Sequence, residues 1–131
     1  MSEKFILEII APDRLILKTE TSEVIIPSYE GEMGILKDHI PIISFLKPGI
    51  IKVISGTEEH SFYVEDGIVE FKDNSLSILT SSIFDIKDAD KKFISDSINE
   101  AENELNKENL DDQKRFLLNH KVEVLKSISI N

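Results

Sequence analysis

Side chains able to do chemistry are few in this sequence, and they are scattered. The three histidines lie far apart, and none has the paired spacing of a zinc site. Cysteine is absent, which excludes thiolate nucleophiles and disulfides. The phosphate-binding loop, the dinucleotide fingerprint and the nucleophile elbow are also missing. We therefore predict no catalytic residue, no metal ligand and no cofactor, and a small hydrolase is the least favoured function.

One stretch, residues 27–49, combines glycines, prolines, a histidine and apolar residues with little else between them: PSYEGEMGILKDHIPIISFLKPG. Gly31 and Gly34 predict a sharp bend, because glycine accepts backbone angles that other residues avoid. Read without further information, residues 30–34 are an acidic loop that faces water between two strands. His39 is then a structural or interface histidine rather than a catalytic base.

The charge composition excludes some classes of binding partner. The 131 residues carry 15 basic and 25 acidic side chains, a formal charge of −10. That charge argues against a general nucleic-acid binder and against adhesion to anionic lipid. The apolar run near the start is interrupted by Glu8, and no run approaches the roughly 20 residues of a spanning helix. We expect a soluble chain that meets a membrane only through a partner.

Glycine and proline mark a boundary between two halves. All five glycines and all four prolines lie before residue 68. Short apolar runs separated by turn signals fill residues 1–84, which is typical of an antiparallel sandwich or barrel. The candidate strands are 5–10, 15–18, 23–26, 42–46, 50–55, 60–64, 68–72 and 76–80.

Residues 85–131 have helical periodicity instead. We expect Asp88 as the N-cap of a first helix, with Asp90 in its first turn, and Asp111 or Asp112 as the cap of a second. Two single-stripe helices with a short connection predict an antiparallel hairpin, which is marginally stable alone and suited to switching. The fold class is mainly β plus α: an N-terminal antiparallel β-sandwich domain, 1–84, followed by a C-terminal helical hairpin domain, 85–131. The apolar positions of the helices are Ile94, Ile98, Ala101 and Leu105, then Leu117, Leu118, Val122, Leu125 and Ile128.

Residues 27–49 also carry the pattern by which the sequence resembles the epsilon subunit of F-type ATP synthases, called delta in mitochondria. The segments FILEIIAPDRLIL and YVEDGIVEFKDNSLSILT resemble other parts of that family, with Asp66 in place of the first of two glycines. The resemblance covers almost the whole chain and implies the same fold class. The family pattern G-x-x-G-(I/L)-(L/Y)-x-x-H-x-P, followed by L-x-x-G, is matched at Gly31, Gly34, Ile35, Leu36, His39, Pro41, Leu46 and Gly49.

The resemblance implies a non-catalytic rotor subunit of the central stalk, which couples proton or sodium flow through the c-ring to ATP synthesis. The implied partners are the gamma subunit, the c-ring and, transiently, the alpha and beta subunits. The implied location is the cytoplasmic face of a bacterial membrane, reached only through the complex. Position in the family assigns the c-ring contact to Glu30, Gly31, Glu32, Met33, Gly34 and Ile35, and the edge near gamma or the ring to His39, Ile40 and Pro41.

In that family the hairpin restrains ATP hydrolysis, and some members bind ATP through an (I/L)-D-x-x-R-A motif. The aligned residues here keep the acid as Asp90 and offer Lys91 and Lys92, but Phe93 stands at the arginine position. Because a fixed guanidinium fork recognises phosphate, we predict weak or absent ATP binding. The basic residues of the second helix that the resemblance assigns to contact with the beta subunits are Lys114, Arg115, Lys121 and Lys126.

A second hypothesis belongs to another functional class. It is a free β-sandwich module that senses or binds a nucleotide. The sequence leaves open the strength of any restraint on hydrolysis and the coupling ion, which other subunits set.

Overall fold

The computed structural model describes residues 3–128. The chain divides into two compact units, Met1–Phe84 and Asp85–Asn131. Within the described residues, no helix is long and apolar enough to cross a membrane. The strands are β1 Phe5–Ala11, β2 Arg14–Thr21, β3 Glu23–Ser28, β4 Gly31–Leu36, β5 Ile42–Leu46, β6 Gly49–Ser55, β7 Glu58–Val64, β8 Gly67–Lys72, β9 Ser75–Leu79 and β10 Ile83–Asp85; the helices are α1 Lys91–Leu105 and α2 Asp112–Ser127.

The strands form one sheet that folds over on itself into two layers. Its order is β10-β7-β6-β3-β5-β8-β9-β1-β2, and β4 pairs with β3. Consecutive strands form antiparallel hairpins in the pairs β1–β2, β3–β4, β6–β7 and β8–β9, whereas β1 and β9 pair in parallel. The layers join where β3 meets β5, through the single pair Ser28 and Leu46.

The core lies between the two layers. Side chains alternate across a strand, so every second residue of β1 and β8 points inward while its neighbours point out. The predicted fold class, a sandwich followed by a helical hairpin, is confirmed. Among the fully buried side chains are Leu7, Ile9, Val24, Ile26, Ile35, Ile51, Val69, Phe71, Leu76 and Ile78.

Two strands were not predicted. Residues 30–35, expected to be a loop, instead hold most of β4, which pairs with the whole of β3 from Glu23 opposite Leu36 to Ser28 opposite Gly31. The prediction failed because two glycines in six residues lower strand propensity and hide the inward alternation of Met33 and Ile35. The other missed strand, β10, has only three residues.

The helical unit has caps that differ in part from the expected ones. Asp90 is the N-cap of α1, and its carboxylate accepts from the Phe93 amide at 2.7 Å. The expected cap Asp88 instead ends a short 3₁₀ turn, Ile86–Asp88. At the second helix Asp111 is the cap and Asp112 lies in the first turn. Ile94, Ala101, Val122 and Leu125 are buried, whereas Ile98, Leu105, Leu117, Leu118 and Ile128 are half-buried.

Candidate functional site

The residues assigned to the c-ring come together in one hairpin, formed by β3, a turn at Tyr29 and Glu30, and β4. Gly31 has a φ of +123°, which explains why the bend needs glycine at this point. Gly34 lies within β4 and does not shape the turn. Glu30 and Glu32 are exposed and Met33 is half-buried, whereas Ile35 is fully buried and supports the hairpin from the core.

Hydrogen bonds fix the tip of this hairpin to β5. The buried Ser28 hydroxyl accepts from the Glu30 amide at 3.2 Å and lies 3.0 Å from the Ser44 hydroxyl. The Tyr29 amide donates to the Phe45 carbonyl oxygen at 3.1 Å. Buried polar pairs of this kind hold one geometry, because an unmade bond inside the protein is costly. The hairpin tip is therefore held firmly to the strand that carries Phe45.

His39 lies in the segment between β4 and β5. Its Nδ1 donates to the Ile40 carbonyl oxygen at 2.8 Å, and its ring meets the Phe71 ring edge-on, with centroids 5.9 Å apart. Asp38 and Asn74 form two hydrogen bonds with each other. The Asp38 backbone amide donates to Asn74 Oδ1 at 2.7 Å, and Asn74 Nδ2 donates to the Asp38 carboxylate at 3.0 Å. These contacts position the segment and leave Ile40 and Pro41 exposed. Among residues 3–128, no three potential metal ligands gather, at His39 or elsewhere.

The sequence reasoning missed a surface on the outer face of the sheet, here named the apolar row. It consists of Phe45, Ile68, Leu79, Ile10 and Leu15, each directly opposite the next across β5, β8, β9, β1 and β2. All but the half-buried Ile10 are exposed. The signal was present in adjacent apolar pairs such as Phe45-Leu46 and Ile68-Val69, which make a strand apolar on both faces.

A cleft of about 630 Å³ lies along the apolar row. Four members of the row, Phe45, Ile68, Leu79 and Ile10, contribute to its walls, as do Tyr29 and Asp66. Its volume is within the range of ordinary ligand and side-chain sites. The cleft is thus where the apolar row and the hairpin tip meet.

The surroundings of Tyr63 shift the pKa of its hydroxyl. Its ring stacks on Phe84 with centroids 5.0 Å apart. Its buried hydroxyl has no hydrogen-bond partner within residues 3–128. Burial raises the pKa of this hydroxyl above its ordinary value, and the Glu65 carboxylate raises it further.

In the helical hairpin, several residues to which the family resemblance assigns a role already have partners. Asp90 caps α1, and Lys92 pairs with Asp96 at 3.6 Å. Arg115 donates to the Leu105 carbonyl oxygen at 3.5 Å, and Lys126 pairs with Glu102 at 3.6 Å. Lys91 and Lys114 are exposed, and Lys121 is half-buried. The assignments of a vestigial nucleotide site and of an inhibitory basic set stay predictions.

Residues 4–86 match the family described as ATP synthase, Delta/Epsilon chain, beta-sandwich domain. The fold and this match define the class of the chain, a protein with the β-sandwich domain of ATP synthase delta and epsilon chains. The chain is 55% identical over 130 residues to the ATP synthase epsilon chain of Pelagibacter ubique, covering 98% of this chain and 100% of that one. It is 30% identical over 129 residues to the epsilon chain of Hyphomonas neptunium, covering 98% and 96%. The chain therefore belongs to the ATP synthase delta/epsilon chain family.

Solved structures share the fold. A chain of the Euglena gracilis mitochondrial ATP synthase, OSCP/F1/c-ring in rotational state 1, matches with a TM-score of 0.74 at 24% identity, covering 94% of this chain and 78% of that one. A chain of the Tetrahymena thermophila mitochondrial ATP synthase central stalk and c-ring matches with a TM-score of 0.66 at 18% identity, covering 95% and 96%. The family membership favours the first sequence hypothesis over a free nucleotide-binding module.

Proposed function

We propose that the chain is a rotor subunit of the central stalk of an F-type ATP synthase, placed between the gamma subunit and the c-ring. The observation that carries this proposal is the apolar row. Exposed apolar side chains that stand singly need no explanation, but contiguous ones mark contact sites. The row belongs to the unit that matches the family, and the solved neighbours come from assemblies of F1, central stalk and c-ring.

The gamma subunit is the partner that covers the apolar row. Interfaces of this type have an apolar centre within a polar rim. The next register row on the same face supplies polar residues for that rim, with Glu70 opposite Ser77, Ser77 opposite Glu8 and Glu8 opposite Lys18. A stalk subunit docked here leaves Glu30, Glu32 and Met33 of the β3–β4 hairpin free for a second contact.

The tip of the β3–β4 hairpin is the contact with the polar loops of the c-ring. Glu30 and Glu32 offer exposed carboxylates, and Met33 offers a partly accessible apolar side chain. The Ser28–Ser44 pair and the Tyr29–Phe45 hydrogen bond tie this tip to β5, one of the strands that forms the apolar row. A rotation of the ring is therefore transmitted to gamma through a short, hydrogen-bonded path.

The helical hairpin restrains ATP hydrolysis within the same proposal, through transient contact of its basic face with the alpha and beta subunits. Exposed Lys114 supplies charge directly, whereas Arg115 and Lys126 must leave their present partners first. The hairpin does not rely on bound ATP, since Phe93 occupies the position where an arginine would hold phosphate. The coupling ion, H⁺ or Na⁺, is set by the c-ring, and the subunit lies on the cytoplasmic face of the membrane.

Co-expression with the gamma subunit of the same organism tests the proposal. A rotor subunit forms a stable one-to-one complex with gamma that survives affinity purification and gel filtration. A chain that elutes alone at micromolar concentration contradicts the proposal. Deletion of residues 86–131 tests the restraint on hydrolysis separately: we expect retained gamma binding and a faster ATPase in the assembled enzyme, and an unchanged rate removes the restraint.

A further inference from the structure

The cleft along the apolar row has a chemistry that an apolar partner alone does not satisfy. Its walls include two aromatic rings, Tyr29 and Phe45, and two aliphatic side chains, Ile68 and Leu79. Asp66 is the one charged residue among those that line it, all of which belong to the described part of the chain. The cleft therefore places a single negative charge beside a broad apolar and aromatic surface.

The Asp66 carboxylate is held in place but is not neutralised. It accepts from the Ser81 amide at 3.3 Å, from the Ser81 hydroxyl at 3.0 and 3.1 Å, and from the Thr80 hydroxyl at 3.4 Å. These donors are uncharged, and no lysine or arginine within residues 3–128 comes within salt-bridge distance of it. A partner that covers the cleft without a cation removes water from a charge that keeps no counterion, which is strongly unfavourable.

The walls of the cleft specify which cation fits. Backbone contact between Tyr29 and Phe45, amide to carbonyl oxygen at 3.1 Å, keeps the two aromatic residues side by side. A guanidinium is planar, stacks on aromatic faces and is less strongly hydrated than an ammonium. It also forms short, charge-assisted hydrogen bonds to a carboxylate. An arginine side chain satisfies the rings, the aliphatic walls and the charge together.

We propose that the cleft binds an arginine side chain of the gamma subunit, with its guanidinium hydrogen-bonded to Asp66 and stacked on the ring of Tyr29 or Phe45. This inference rests on the proposed function, because it names the residue type by which the same partner is anchored. The rim row of the same face holds two acids, Glu8 and Glu70, and one base, Lys18, so it adds one net negative charge, which favours a basic partner surface. The strong net charge of −10 acts in the same direction at long range.

The test uses the full chain and the gamma subunit of the same organism, with the dissociation constant measured by calorimetry from low to high salt. Asp66→Asn removes the charge but keeps an oxygen that accepts from Ser81. Asp73→Asn is the matched control, since Asp73 is an exposed acid in the β8–β9 turn and its φ of +51° suits asparagine. We expect Asp66→Asn to weaken binding about tenfold or more and to reduce its salt dependence, and the control to change neither.

Surface arginines of gamma are then changed singly to glutamine. We expect one of them to weaken binding in the wild-type background and to have little effect in the Asp66→Asn background, the sign of a direct pair. Equal affinity and salt dependence of Asp66→Asn and wild type would overturn the inference while leaving the proposed function intact. A lysine found in that place, or a dimer of the chain alone that Asp66→Asn abolishes, also overturns it. If the wild type does not bind gamma at all, the proposed function itself fails.

Discussion

Replacing Phe45 with alanine tests the apolar row as a docking surface. Phe45 is 57% exposed in the free chain. A phenylalanine presents about 200 Å², so about 110 Å² is left for a partner to cover. At about 25 cal/mol per Å², complete coverage contributes about 3 kcal/mol, of which the remaining Cβ keeps a small part. We therefore expect the dissociation constant for gamma to rise about 30- to 100-fold.

The matched control is Phe116→Ala. Phe116 is 53% exposed, nearly the same as Phe45, but it lies on α2 in the helical unit, and its ring stacks on His120. We expect its loss to leave gamma binding within about twofold, a change of roughly 0.4 kcal/mol. Thermal unfolding of both variants checks that the folded state survives, since alanine in a strand costs up to about 1 kcal/mol. The reasoning is refuted if the two variants bind gamma equally well.

Three further predictions concern the fold. Gly49→Ala is expected to lower the free energy of unfolding by about 1–3 kcal/mol, because the new Cβ would overlap the Cβ and Cγ atoms of Pro27. Gly34→Ala is the control, since its new Cβ meets only the flexible Glu23 carboxylate, at 3.3 Å. Equal stabilities of the two variants in urea unfolding contradict this. Tyr63→Phe removes a hydroxyl without a partner and should raise stability by about 1 kcal/mol. The pKa of Tyr63 is raised in the folded state, so the unfolded chain releases this proton first as pH rises. The wild type should therefore lose stability above the unfolded pKa of about 10, and the variant should lose less in that range. Parallel losses in the two proteins argue against this. Asp90→Ala deletes the N-cap bond of α1 and should cost about 1 kcal/mol of helix stability, and unchanged helicity by circular dichroism at intermediate temperature contradicts that.

Much of the fold could be predicted because local patterns agreed with the tertiary structure. Turn residues and period-two alternation located eight of the ten strands, and helical periodicity predicted the two helices. The pattern failed at β4, where Gly31 and Gly34 obscure the alternation, and at the cap of α1. Three acids lie within residues 85–90, and the hydrogen bond from the Phe93 amide to the Asp90 carboxylate identifies Asp90 as the residue that caps α1.

The contact surfaces could be predicted only in part. The hairpin tip was visible because its residues are contiguous in sequence. The apolar row was not, because its five members come from five strands and become neighbours only through the register of the sheet. The cleft along this row depends on the same register and on the Asp66 hydrogen bonds to the loop after β9. Sequence periodicity gives the faces of single strands, whereas a shared surface requires the strand order.

The central claim, that the hairpin tip contacts the c-ring while the sandwich rotates with the stalk, can be tested by disulfide trapping. The chain has no cysteine, so an introduced one is unique. Glu32→Cys lies beside the hairpin tip. Glu58→Cys lies at the start of β7, near the opposite end of β3, and the two positions are about 20 Å apart. In assembled complexes with a cysteine in the polar loop of the c subunit, we predict that oxidation traps Glu32→Cys to the ring and leaves Glu58→Cys free. Trapping of neither variant, or of both equally, contradicts the account.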